Sequence, residues 1–399
     1  MHTEVVLKKA GPPRVLPGRC GGWQRVLMAL ACGAAVGHVS AASAVPDLVV
    51  GQSLPLTGNL SVMSQQSRLG ADIYFAHVNA QGGVNGAKIR HVVLDDAHEP
   101  DAAVRNARSL IDDERAVALV AFAGTASVEE LLRQRVLVPR NVALVGPTTG
   151  AASLRLPTQN NLFHVRAGYA DEAEHLVNNL ASLGVRRVGV FRQSDALGAA
   201  GLSGVEMALA RRKLKLEGIA QYERGSVNVE AAAVELRRTE PEAIVLVAGS
   251  APVAAFARRY RALGGTAHLL TMSDADHTEV LGLAGLVAMR GMSFSQVVPF
   301  PAGGSRPIAR EYQAMLLQYG PQDARPTYSG LESYISAKVL VEALKRAGGN
   351  PSPGQVVAAL EQLEHFDAGG YLVSFSRANR IGSRYVDFTV MDRDGKLLR

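Results

Sequence analysis

Cysteine is nearly absent from this 399-residue chain. There are two, Cys20 and Cys32, and both lie in the first 44 residues, as does the single tryptophan, Trp23. Residues 45–399 therefore contain no disulfide, no thiolate metal ligand and no cysteine nucleophile. A segment of that length needs no such staples, because its apolar core is large enough without them. Nucleotide signatures are missing too. No Gly-x4-Gly-Lys-Ser/Thr loop is present, and no Gly-x-Gly-x-x-Gly opens a helix after the first predicted strand. Gly201-Leu202-Ser203-Gly204-Val205 lacks the second glycine position of a nucleophile elbow and falls inside a predicted helix. No His/Asp pair stands in an obvious order relative to a candidate serine, so an α/β enzyme has no catalytic motif to rest on. Long apolar runs are missing as well: Val26 to Val36 is too short to span a bilayer.

That short run sits in a recognisable setting. Lys8, Lys9, Arg14, Arg19 and Arg25 precede or border it, and Ala42-Ser43-Ala44 follows. The pattern predicts a secretion signal at 1–44, cut after Ala44. The competing reading makes Cys32 a lipid-modified residue, with an apolar core of only six residues ahead of it. Removing 1–44 takes away five Lys/Arg and one acid, Glu4, so the formal charge of +6 falls to about +2. The basic balance thus gives no support to a nucleic-acid partner. The remaining length points to two lobes rather than one core.

Short Val/Ile/Leu/Ala runs alternate with amphipathic stretches almost throughout. Strands are predicted at 48–54, 89–94, 117–122, 142–145, 187–191, 243–247, 268–272 and 292–298. Helices are predicted near 65–80, 101–113, 126–137, 170–183, 198–213, 229–239, 251–263, 307–319 and 328–347. Near-continuous apolar strands fit parallel sheets covered on both faces, and the alternation gives right-handed βαβ units. Asp101 is expected to cap one helix and Pro139 to close another, while Gly184 and Gly264 follow helix ends. Gly370–Phe375 and Tyr385–Met391 read as a two-stranded ribbon.

Several pieces stand in order at domain-scale spacing. Gly51-Gln52-Ser53-Leu54-Pro55-Leu56-Thr57-Gly58 follows the first strand, and Gln81-Gly82-Gly83-Val84-Asn85-Gly86 follows the first helix. Asp95-Asp96 ends the second strand. Val145-Gly146-Pro147-Thr148-Thr149, Gln193-Ser194-Asp195-Ala196-Leu197-Gly198 and Gly382-Ser383-Arg384-Tyr385-Val386 come later. From Leu48 to Gly395 the chain resembles the branched-chain amino-acid-binding family of periplasmic solute receptors. The resemblance implies a type I periplasmic binding fold: two doubly wound parallel-sheet lobes joined by a multi-strand hinge. The chain itself suggests the boundaries: a break near Arg166-Ala167-Gly168 and a return crossing at Val298-Pro299-Phe300-Pro301. These give lobe 1 at 45–166 and 299–352 and lobe 2 at 167–298, and leave open which lobe holds the helix and ribbon of 353–399. The resemblance implies a small carboxylate-bearing solute, an amino acid or a related organic or aromatic acid, delivered in the periplasm to the permease of an ABC importer. A sensor of the same fold, reporting to a membrane partner, is the alternative. No cofactor, metal or nucleic acid is expected, and the chain is expected to act as a monomer.

In that family, loops of the first lobe meet the ligand's carboxylate. The matching residues are Thr125, Ala126, Ser127, Thr148 and Thr149, and a helix N-terminus after Gly124 suits an anion. The plainer alternative is that Thr125 or Ser127 caps that helix, but the loop's place at a strand's carboxyl end favours ligand contact. In the second lobe the resemblance points to Asp195, Ser250 and Asp274. Here the chain departs from the amino-acid receptors: Leu197 and Ser250 stand where they carry tyrosines, and Asp274 stands beside the place of their glutamate. If Asp274 reaches the site it is the partner for an ammonium; if it turns away, a simple carboxylate or aromatic acid fits better. Other clusters have plainer readings. Asp276 in Asp274-Ala275-Asp276-His277 caps a helix rather than binding metal. Glu172 and His175 read as a charged helix surface, and Arg211-Arg212-Lys213 with Lys215 as a solvated helix end.

Mass spectrometry of exported protein is expected to give a chain beginning at Val45, with no acyl group. A mature chain beginning at an acylated Cys32 would overturn the cleavage reading.

Overall fold

The computed structural model describes residues 45–156 and 161–399, so the expected signal segment and its cleavage site lie outside the described residues. The first sheet is built from β1 (Leu48–Leu54), β2 (Ile89–Asp95), β3 (Ala118–Val120), β4 (Ala143–Val145) and β5 (Leu162–Phe163). These strands run parallel in the order β2-β1-β3-β4-β5. Helices α1 (Ser61–Ala80), α2 (Pro100–Asp112) and α3 (Thr125–Arg133) connect them. β1 is buried throughout its seven residues, while β2, at the edge, is only partly covered, so its alternation is weaker.

The chain then passes through Val165–Gly168 into α4 (Tyr169–Ser182) and a second parallel set. It comprises β6 (Arg187–Gln193), β7 (Lys215–Tyr222), β8 (Ala243–Val247), β9 (His268–Thr271) and β10 (Ser293–Gln296). α5 (Ala196–Arg212), α6 (Glu230–Arg238), α7 (Ser250–Ala262), α8 (His277–Ala284) and the short α9 (Leu286–Met289) link these strands. Its order, β7-β6-β8-β9-β10, repeats that of the first sheet. The sequence reading missed β7 because this edge strand, Lys215-Leu216-Glu217-Gly218-Ile219-Ala220-Gln221-Tyr222, alternates polar and apolar residues instead of forming an apolar run.

After β10 the chain returns to the first sheet with α10 (Pro307–Tyr319) and α11 (Tyr328–Ala347), which pack on α1. The approach of α1 and α11 depends on paired glycines: a Cβ on Gly70 would collide with the backbone oxygen of Gly330 at 2.0 Å. α12 (Pro353–Glu361) follows, with its apolar face in the same core. The expected terminal ribbon does not form. β12 (Leu372–Val373) pairs with β11 (Phe366–Asp367), and β13 (Asp387–Met391) lies antiparallel to β10, with β14 (Leu397–Leu398) beside it. The last strands thus extend the second sheet, where Phe388 and Met391 join apolar clusters that a free ribbon would not supply. Two caps also differ. Pro100 opens α2 after Glu99, so Asp101 lies in the first turn rather than capping it, and α3 stops at Arg133, well short of Pro139.

Three segments pass between the sheets, and a buried network binds them. The Arg166 side chain is inaccessible to solvent. Its Nη2 lies 3.0 Å from Glu172 Oε1 on α4, and its Nη1 3.5 Å from Glu332 Oε1 on α11. Burial opposes the guanidinium charge, but Glu332, Glu172 and Asp274 more than offset it and hold Arg166 charged. Glu172 also accepts from Ser273 N at 2.8 Å and Ser295 Oγ at 2.5 Å. It is a buried hub, not the exposed helix surface expected from the sequence. Arg155 donates to the backbone oxygens of Thr149, Arg166 and Ala167 at 2.9–3.0 Å. Tyr371 donates to Val165 O at 2.7 Å and Val297 O at 3.0 Å, joining two of the crossing segments.

Arg166→Met leaves Glu172 and Glu332 buried without their counter-charge, which costs about 3–5 kcal/mol of folding free energy. Uncompensated buried carboxyls titrate at raised pH, so part of that loss is expected to return as pH falls from 7 towards 5. Urea denaturation at both pH values measures it.

Candidate functional site

In sheets of this order, strand connections diverge at the carboxyl end between the first and third strands, leaving a crevice there. Both sheets present that end to one cavity, with about 660 Å³ of space including its open mouth. Its walls come from loops that follow strands. Asn59 and Leu60 follow β1, His98 follows β2, Gly124 and Thr125 follow β3, and Thr148 follows β4. From the second sheet come Asp195 after β6, Gly225 and Ser226 after β7, Gly249 after β8 and Asp274 after β9. Tyr169, at the start of α4, completes the floor. Met63, Leu60, Leu197 and Pro252 give the cavity an apolar flank. The two sides meet at the mouth, where Asn59 Nδ2 donates to Gly225 O at 3.0 Å and Arg224 Nη2 lies 3.2 Å from Glu99 Oε2.

The first-sheet wall is centred on the start of α3. Its N-cap is Gly124, at φ 98°, a conformation that favours glycine, and no side chain caps the helix. The first-turn N–H groups consequently face outward without intrahelical acceptors. Ser127 Oγ, buried just inside, has no hydrogen-bond partner among the described residues. Thr125 and Thr149 share a hydrogen bond, Oγ1 to Oγ1, at 2.8 Å. The second loop offers less backbone than the sequence led us to expect. Thr148 N donates to Phe122 O at 2.8 Å and Thr149 N to Pro147 O at 2.9 Å, which leaves the Thr148 hydroxyl as that loop's group on the wall.

On the second-sheet side, Asp274 Oδ1 accepts from the Tyr169 hydroxyl at 3.0 Å, while Oδ2 is buried with no hydrogen-bond partner among the described residues. Burial raises the Asp274 carboxyl to about 6. Arg166 and the Tyr169 hydroxyl pull it down, and Glu172 and Glu332 push it up. Asp195 reaches the wall but is already engaged: it caps α5 through Gly198 N at 3.3 Å and accepts from Gln193 Nε2 at 2.7 Å. Ser250 stands behind the wall as the first residue of α7, where its hydroxyl accepts from Asp276 N at 3.0 Å. Asp276 caps α8 through Thr278 N and Glu279 N at 2.9 and 3.0 Å. Among the described residues, no group of three or more His, Cys, Asp or Glu is placed to hold a metal ion.

Of the residues singled out from sequence, the cavity wall gathers Thr125, Thr148, Asp195 and Asp274, whereas Ala126, Ser127, Thr149 and Ser250 stand next to it or behind it. Sequence reasoning passed over Asn59, His98, Tyr169 and Ser226. Their shared signal is position, since each lies within a few residues of a strand's end or an inter-sheet crossing. Ser226 was out of reach without β7.

No helix among the described residues is long and apolar enough to cross a membrane. A profile of the periplasmic binding protein family matches residues 47–396. A Leu/Ile/Val-binding protein homolog 3 of Brucella melitensis is 23% identical over 378 residues, 94% of this chain and 98% of its own. An amino acid binding protein of Pseudomonas aeruginosa is 26% identical, over 82% of this chain and 86% of its own. Among solved structures, a substrate-binding periplasmic protein from Ralstonia solanacearum is similar with a TM-score of 0.84 and 38% identity, covering 88% of this chain and 99% of that one. These relatives are named for binding, not for catalysis. With the match running along nearly all of its described length, the chain belongs to the periplasmic binding protein family and has that family's type I fold.

Proposed function

We propose that the protein is an extracytoplasmic receptor that binds a small amino acid between its two lobes and delivers it to the permease of an ABC importer. The lobes correspond to the two sheets, with β13 and β14 belonging to the second. The observation that carries the reading is the pairing of opposite charge preferences across one cavity. The uncapped start of α3, with Ser127 Oγ and the Thr148 hydroxyl, is a site for a carboxylate. Facing it, Asp274 Oδ2 lacks a donor, and an unpaired buried carboxylate oxygen is costly to leave that way. A ligand carrying both a carboxylate and an ammonium satisfies both walls. Leu60, Met63, Leu197 and Pro252 suit an apolar side chain. The relatives' names, Leu/Ile/Val-binding and amino acid binding, agree with this assignment.

A thermal-shift screen of amino acids, aromatic acids and dicarboxylates tests it. Apolar amino acids are expected to raise the melting temperature most, since a ligand at a hundred times its Kd adds about 2.7 kcal/mol of stability. If no anionic solute shifts the transition, the receptor assignment fails.

Asp274→Asn is expected to remove most affinity for the amino-acid ligand and to leave the affinity for the corresponding amine-free acid almost unchanged. Thr148→Val, which deletes one hydroxyl on the acid side, is expected to weaken both ligands about ten- to a hundredfold, the usual cost of a hydrogen bond to a charged group. Calorimetric titration separates the two effects. An amino acid that binds Asp274→Asn as tightly as wild type would take Asp274 out of the site.

A further inference from the structure

One side chain in the cavity wall has no role in the reading above. His98 follows β2 in the turn Asp95-Asp96-Ala97-His98, and its imidazole makes no hydrogen bond to the described residues. The turn fixes the backbone that carries the ring. Ala97 and His98 are consecutive residues in the left-handed region, with φ 49° and 64°, an uncommon backbone for non-glycine residues. Ala97 N donates to Asp95 Oδ1 at 2.8 Å and His98 N to Asp96 Oδ1 at 2.9 Å. Those carboxylates are fixed in turn. Ser53 Oγ donates to Asp96 Oδ2 at 2.7 Å, and Leu56 N and Thr57 Oγ1 donate to Asp95 at 2.9 Å.

The ring is directed at the start of α3. A Cβ placed on Gly124 would stand 3.4 Å from His98 Cδ2 and Nε2, and equally 3.4 Å from Ser127 Oγ. The imidazole, the unpartnered serine hydroxyl and the uncapped helix end therefore share one small volume. The charged groups around the ring are Glu99 on its own turn, Arg224 after β7 and Asp195 after β6. Burial, and then Arg224, hold the imidazole below its ordinary pKa, with Asp195 and Glu99 opposing. The ring is thus kept neutral, with one nitrogen to donate and one to accept a proton.

We propose that His98 is a ligand-contacting residue whose imidazole donates a hydrogen bond to the carboxylate received by α3. The proposal rests on the receptor reading, which supplies that carboxylate. The local physics is direct. A carboxylate arriving beside the ring adds a negative charge next to a group that burial and Arg224 had kept neutral, so the ligand draws a fraction of a proton onto the imidazole. The residue type suits a low-capacity acid site: a permanent cation such as arginine would bind any anion, whereas a neutral imidazole gains its charge only when an anion is already seated.

The experiment is calorimetric titration of the full protein at pH 7, in two buffers of different ionisation enthalpy, with the strongest amino acid from the thermal-shift screen. His98→Phe and His98→Gln are compared with wild type. Both substitutions meet the same left-handed backbone, so their difference isolates the hydrogen-bond donor. Relative to both variants, wild type is expected to take up an additional fraction of a proton on binding; Asp274 contributes a release common to all three proteins, because pairing with an ammonium lowers its pKa. His98→Phe is expected to bind about ten- to a hundredfold more weakly. His98→Gln should recover most of the affinity, and both variants should lack the additional uptake seen in wild type. Wild-type affinity in His98→Phe overturns the proposal and leaves the receptor reading standing. Equal weakening of both variants with the same proton linkage as wild type also overturns it, since the ring would then act only through the fold. A wild-type protein that binds no amino acid removes both readings.

Discussion

The Arg166 guanidinium sits where the chain leaves its first sheet, out of reach of water, and its charge is tolerated there only because carboxylates from both sides converge on it. Glu332 comes from α11, packed on the first sheet, and Glu172 from α4, packed beside α5 and β10 of the second. The ion pairs therefore do more than neutralise one another: they set the distance between two helices that belong to different sheets. Glu172 then passes the constraint to Ser273, the neighbour of Asp274, and to Ser295 on β10. A change at the crossing is felt one residue from the cavity wall. Buried ionic networks are expensive to desolvate, and this one lies where the chain crosses between its two sheets.

Much of the fold could be read from the chain because the inner strands of both parallel sheets are almost wholly buried, and burial on both faces writes a continuous apolar run into the sequence. β8, Ala243–Val247, came out with its boundaries intact for that reason. β7 did not, because an edge strand answers to water on one side and carries Glu217, Gly218 and Gln221. The terminal ribbon failed for another reason. Periodicity tells which face of a strand is covered but not by what, and the partner of β13 is β10, far away in sequence.

The cavity was legible in part. Loops that close on strand ends are visible as Gly/Thr and Ser/Asp clusters, and these supplied Thr125, Thr148, Asp195 and Asp274. Whether a hydroxyl faces the cavity or its own backbone is settled by hydrogen bonds that no spacing reveals. Ser250 turned to Asp276 N and Thr149 to Thr125. His98 went unnoticed because an isolated histidine gives no signal until the left-handed turn that aims it is known.

The placement of β13 and β14 has a bearing on how such a chain is made. The second sheet gains these strands only after α10, α11 and α12 have packed back on the first, so Ser293 must wait for Val390 to complete its edge. Neither half of the molecule is a finished unit while the chain is still emerging. Long-range pairings of this kind raise contact order and slow folding, and until they form the exposed edge of β10 is open to association with other chains. The last dozen or so residues consequently act as the closing step of assembly, and truncations there should cost yield more than they cost the ligand cavity.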